Sequence, residues 1–230
     1  MGATRDTVTS VTTHADSLLL GLLSRHELVA MRQEVELSEV VFGWDAPNRF
    51  SLRGANGQVI GSVMEDRGGV WGLIRRNLLG TWASLTYAIF DSEGREMGRI
   101  SKGFSFFFHR IEVFEGERHF GSVTRAWSLL GRKYVLRAPD GTRLAQIRRP
   151  LFRLWTYPVV DMRGQEVARI GKKWGGVLRE FFSDADTYAI QFTERTLPVV
   201  RVLGLASMFL VDTTVTENNR GARGLLASRE

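Results

Sequence analysis

A mainly β fold, closed into a barrel around a hydrophobic C-terminal helix, is the architecture this chain predicts. One phrase recurs five times, at Phe50–Val63, Tyr87–Ile100, Ile111–Val123, Tyr134–Ile147 and Tyr157–Ile170, each time as apolar strand, glycine-centred turn, apolar strand. The phrases follow one another without a Pro- or Ser-rich linker, so they build one unit and not a string of small domains. The chain then runs into Leu197–Val211, a stretch that is almost wholly apolar. A ladder of hairpins must close on itself or cover its edges, and such a segment can fill the space inside.

The elements follow in chain order. Residues 1–16 are rich in Thr and carry Asp6 and Asp16, which predicts a disordered tail. Leu18–Leu23 is too short and lacks the basic leader of a secretory signal. Between Leu18 and Val41 the apolar positions fit either strands or a short helix. From Phe42 to about Phe192 the pattern is strand, turn, strand. In Leu197–Val211, Thr196 stands where a cap is wanted and Pro198 suits a first helical turn. A helix apolar on all sides must be buried in protein or in lipid, and a single span needs about 20 apolar residues. Arg201 interrupts this shorter run. Both a core helix and a membrane-inserted helix remain open, with Leu197, Val202, Leu205 and Phe209 as its apolar faces. Residues 217–230 predict a flexible tail, leaving 17–216 as the folded domain.

Composition narrows the function. The chain has no cysteine, which excludes disulfide scaffolds, thiolate metal sites, cysteine nucleophiles and palmitoyl anchors. No GxSxG, HExxH, Walker loop or GxGxxG is present, and the four histidines are scattered. No covalent catalysis is expected. Net charge is +6 and the isoelectric point about 10.1, a balance that suits anionic lipid or nucleic acid as partner.

The charge is also sorted by position. Acids cluster at the glycine turns: Asp91, Glu93 and Glu96; Glu115 and Glu117; Asp140; Asp161 and Glu166. The joins between hairpins are basic and aromatic, with Arg75, Arg76, Lys102, Arg132, Lys133, Arg148, Arg149, Arg153, Trp155, Lys172, Lys173 and Trp174. In an up-and-down barrel, turns and joins lie at opposite ends. One rim is therefore predicted to be acidic and the other basic and aromatic. The second is the composition an anionic bilayer attracts. Single-stranded nucleic acid is a less favoured occupant, and a solvated rim around core aromatics is the plain alternative. Asp184, Asp186 and Glu194 form the one acidic set with a calcium-loop flavour, although Arg195 holds the twelfth position where an acid is wanted.

Two stretches give a family resemblance. Gln33-Glu34-Val35-Glu36-Leu37-Ser38-Glu39-Val40, with Asn48-Arg49-Phe50-Ser51-Leu52 and Gly57-Gln58, resembles the start of the phospholipid scramblase domain. Residues 172–192 (KKWGGVLREFFSDADTYAIQF) resemble its end, and Val202–Val211 followed by Asp212 resembles its terminal helix. The resemblance implies a tubby-like barrel of roughly twelve strands, of the superfamily that also holds LURP-one-related proteins. It further implies calcium-stimulated, ATP-independent movement of phospholipids between leaflets, at the cytoplasmic face of a membrane. It maps the calcium segment onto Asp184–Arg195, where the closing acid is missing, and it offers no Cys-rich or Pro-rich extension here. Two functions stay in view: a membrane-associated protein that binds and moves anionic phospholipid, and a soluble binding module of the same fold.

Overall fold

The computed structural model describes residues 17–34, 49–66, 85–103, 110–126, 133–148, 156–172 and 187–210. The predicted tails lie outside them. A short helix α1 (Leu18–Ser24) is followed by β1 (Leu28–Glu34), β2 (Arg49–Arg53), β3 (Val59–Asp66), β4 (Leu85–Asp91), β5 (Glu96–Lys102) and β6 (Arg110–Glu115). Then come β7 (Arg118–Ala126), β8 (Lys133–Arg137), β9 (Arg143–Arg148), β10 (Thr156–Asp161), β11 (Glu166–Gly171) and β12 (Thr187–Phe192). A helix α2 spans 198–210. Each strand pairs antiparallel with its sequence neighbours, and β1 pairs with β12, so the described strands close into a twelve-stranded barrel.

The five repeated phrases are the five hairpins β2–β3, β4–β5, β6–β7, β8–β9 and β10–β11. Each has a register shift beside its turn, such as Ile89/Phe90 in β4 and Val159/Val160 in β10. The turn glycine supplies the backbone angle that closes the hairpin: Gly94 has φ 81° and its N–H bonds the Asp91 carbonyl at 3.2 Å. A left-handed glycine beside a one-residue bulge gives the ribbon the twist a barrel needs. Asp91 reinforces its turn by accepting from the N–H groups of Glu93 and Arg95, and those bonds hold its carboxyl below the usual 3.8.

Alternation sets the core. The inward position nearest the start of each even strand is Phe50, Tyr87, Ile111, Tyr134, Tyr157 or Tyr188, all buried. Five of these six also open the repeated phrases, so the phrase boundary in the sequence marks one layer of the interior. All four tyrosines of the chain lie in it. Deeper layers carry Val63, Ile89, Val113, Leu136, Val159 and Ile190.

Helix α2 fills the barrel. Val202, Leu203, Leu205, Ala206, Met208 and Leu210 are at most 2% exposed and Phe209 is 6% exposed. The Phe209 ring stands 5.3 Å from Phe50 and 4.9 Å from Tyr87. A Cβ on Gly204 would lie 2.7 Å from Ile190 Cδ1, so the helix passes close to β12 there and a larger residue would push the Ile190 side chain aside. The apolar segment is thus a core helix along 198–210. Leu197 departs from the expectation: it is 54% exposed, and its carbonyl accepts the first helical bond from Arg201 N–H at 3.1 Å. Leu197 therefore precedes the helix and Pro198 opens it. Thr196 does not cap the helix either. Its hydroxyl bonds the Val167 carbonyl and accepts from Thr193 N–H at 3.0 Å, fixing the turn to β11.

Candidate functional site

The two rims differ in how they are sealed. Helix α2 enters at the turn rim, where Arg201 ties it down. Its guanidinium donates to the carbonyls of Leu23 and His26 at 3.1 Å and of Thr193 at 3.3 Å, and lies 4.8 Å from the Phe192 ring centroid. Burial lowers the Arg201 pKa from its ordinary value. This rim also holds α1, whose Leu19, Leu20 and Leu23 join the core. Glu115 fastens its start, accepting from the Ser17 hydroxyl at 2.5 Å and the Leu18 N–H at 2.7 Å. Ser17 also caps the helix by accepting from Leu20 N–H at 3.1 Å. A carboxylate at a helix N-terminus is favourable.

The turn rim is not the acidic surface that the run of carboxylates predicts. Two of its hairpins, β4–β5 and β10–β11, pair acid with base: Arg95 with Asp91 at 3.0 Å, Arg99 with Glu96 at 2.6 Å and Arg169 with Glu166 at 2.7 Å. The exposed large apolar residues among those described, Leu18, Val59, Met162 and Leu197, belong to four separate stretches of the chain at this end. Scattered singly, they are ordinary surface.

At the join rim, four predicted contact residues are described. Lys133 on β8 and Arg148 on β9 are Cα partners across the ladder, on the outer face. Arg148 is exposed and Lys133 half-buried. Neither makes an ion pair with a described residue, and like charges directly opposite each other are destabilising. Lys102 is different: it shares the inward parity of Ile100 and is only 8% exposed. It is an interior residue and no surface contact, contrary to the expectation. Lys172 also follows the inward parity, with its Nζ 4.4 Å from the Tyr188 ring centroid, a cation–π distance. Arg75, Arg76, Arg132, Arg149, Arg153, Trp155, Lys173 and Trp174 lie outside the described residues. Arg125, absent from the predicted set, belongs to the same end, opposite Tyr134 in the register.

Of the segment that the resemblance maps to calcium, residues 187–195 are described. Thr187–Phe192 is an extended strand paired on both sides, with β1 and with β11. It carries the chain from the join rim to the turn rim, about 17 Å at the usual rise. Glu194 sits exposed in the turn beyond it. Asp184 and Asp186 lie outside the described residues. Among the described residues no cluster of three metal-ligating side chains occurs. His119 stacks on Phe114 at 4.8 Å, with Nε2 3.8 Å from Glu112, and His109 lies outside the described residues.

A closed twelve-stranded barrel sealed at one end, with like charges side by side at the other, invites comparison with known proteins. The scramblase family matches residues 7–218. The chain belongs to the scramblase family. It is 26% identical to human phospholipid scramblase 2 over 215 residues, covering 87% of this chain and 71% of that one. It is 25% identical to mouse phospholipid scramblase 1 over 207 residues, covering 84% and 62%. Altered inheritance rate of mitochondria protein 25 of Saccharomyces cerevisiae is 25% identical over 189 residues, covering 71% and 58%. The chain thus spans between about three fifths and seven tenths of the length of these relatives. No solved structure matches it.

Proposed function

We propose that this scramblase-family member is a membrane-associated protein that binds anionic phospholipid and moves it between leaflets without ATP. Family membership supports the lipid as substrate class, since relatives carry the name phospholipid scramblase. The observation that carries membrane binding is the Lys133–Arg148 pair: two cations held in register with no acid between them. A phosphate-bearing surface relieves that repulsion, and each interfacial Lys or Arg contributes about 1 kcal/mol. The cytoplasmic face is the expected place of action, because anionic lipids concentrate there. No described helix is long and apolar enough to cross a membrane.

A second reading has its own support. From Val202 to Leu210 every residue of α2 is buried, which favours a binding module whose helix never leaves the core. Two measurements separate the readings. Flotation with phosphatidylserine-containing vesicles at moderate salt is expected to carry the protein to the top of the gradient. Dithionite quenching of fluorescent lipid in reconstituted vesicles is expected to exceed the half that is accessible from outside. Flotation without extra quenching would favour the module, and failure of both would sink the lipid reading.

A further inference from the structure

The five hairpins fold alike but are not charged alike. Residues 49–66, 85–102 and 110–126 each carry as many acids as bases, and 156–172 carries one base in excess. The β8–β9 hairpin, 133–148, has four bases (Lys133, Arg137, Arg143, Arg148) against Asp140 alone. That aspartate faces its own backbone: it accepts from Thr142 N–H at 2.9 Å, a bond that lowers its pKa.

The register concentrates the excess on one face. Tyr134, Leu136, Ala145 and Ile147 are buried and point inward. Between them, Lys133 stands opposite Arg148, and Arg137 stands opposite Arg143. The ladder therefore has a like-charged rung at both ends. The two rungs are four residues apart along β8, about 13 Å at the usual rise. Arg143 and Arg148 are exposed and Arg137 and Lys133 half-buried. Arg137 keeps one N–H on the Gly141 carbonyl at 3.0 Å, and none of the four pairs with a described carboxylate. On β5 and β11, by contrast, an arginine has an acid three residues before it on its own strand, Arg99 with Glu96 and Arg169 with Glu166.

We infer that the outer face of the β8–β9 hairpin is an anionic-membrane docking surface, and that the barrel lies on this flank with both rungs on the bilayer. The spacing is too long for one phosphate and suits two neighbouring headgroups. End-on docking through the join rim would use Lys133 and Arg148 only. Side-on docking also uses Arg137 and Arg143, at the opposite rim. The inference rests on the membrane reading above and specifies its orientation.

The test compares three double variants in flotation with phosphatidylcholine vesicles containing phosphatidylserine, at low salt. K133Q/R148Q and R137Q/R143Q are each expected to weaken binding roughly tenfold or more. R95Q/R99Q removes the same net charge from a hairpin that holds its own acids, and is expected to bind within about twofold of wild type. Thermal melts should show all three folded, because every changed side chain lies outside the core. R137Q/R143Q binding like R95Q/R99Q would overturn side-on docking while leaving the membrane reading standing. Wild-type protein that stays at the bottom of the gradient would overturn the membrane reading itself. Capture by a single-stranded oligonucleotide in place of vesicles would also overturn it.

Discussion

The turn rim and the join rim are built from the same strands, yet they solve opposite problems. At the turn rim, Arg201, α1 and Glu115 bind three segments to one another, and Arg95 and Arg99 find acids two to four residues away. At the join rim the register sets Lys133 beside Arg148 and leaves the pair without a described acid. One end is arranged for closure. The other keeps an unfavourable contact that the fold does not need. A local conflict of that kind marks a site where something other than stability is served.

The contrast can be broken from either end. The largest effect is expected from R201M, which strips three carbonyls of a charged donor. With charge-assisted bonds worth about 1.5–3 kcal/mol each and partly replaced by water, a loss of about 3 kcal/mol is expected in urea denaturation. Unchanged stability would mean that the turn rim is held by packing alone. Next comes R148E, which turns a repulsive rung into an attractive one. It should raise stability by about 0.2–1 kcal/mol while weakening vesicle binding. A variant that loses stability would remove the argument that the rung is a conflict. S17A deletes the cap of α1 and is expected to cost about 1 kcal/mol, read as earlier exchange of the α1 amides with solvent.

Smallest is a pH effect at the sealed end. Burial first, then Arg25, lowers the His26 pKa below the usual 6.5. A histidine kept neutral by the fold contributes stability that is present above 6.5 and is lost as pH falls through its lower folded value. Unfolding free energy should therefore dip on acidification just below 6.5, and H26Q should flatten that dip. The lowered carboxyl of Glu34, held mainly by the Ser51 hydroxyl and then by Arg53, acts in the same direction but below 4.5. The two windows are separable by titration.

Much of the fold was legible because two signals repeat. Glycine turns at regular spacing gave the hairpins, and the apolar segment after them gave the helix that fills the barrel. The short helix α1 stayed ambiguous since a run such as Leu18-Leu19-Leu20 has no period to read. Lys102 was misplaced for a different reason. Its position two residues after Ile100 implies the inner face, but composition of the joins was weighed over parity. Leu197 and Thr196 were shifted because a threonine before a proline looks like a cap until its hydroxyl finds a partner on another strand. Glu194 was grouped with Asp184 and Asp186 by spacing and by the resemblance, and the structure describes Glu194 alone of the three, in the turn after the strand Thr187–Phe192. The charge imbalance of β8–β9 was countable from the start. Its meaning needed the register, which puts Arg137 across from Arg143.

The position of α2 in the chain has a consequence for assembly. Strand β1 finds its second neighbour only in β12, and the rod that all strands enclose is made after every one of them. During synthesis the sheet must wait, its greasy concave side uncovered, until the last described segment leaves the ribosome. Long-range closure of that sort folds slowly and exposes sticky intermediates, so this protein's yield in a cell should depend on chaperones more than its final stability suggests.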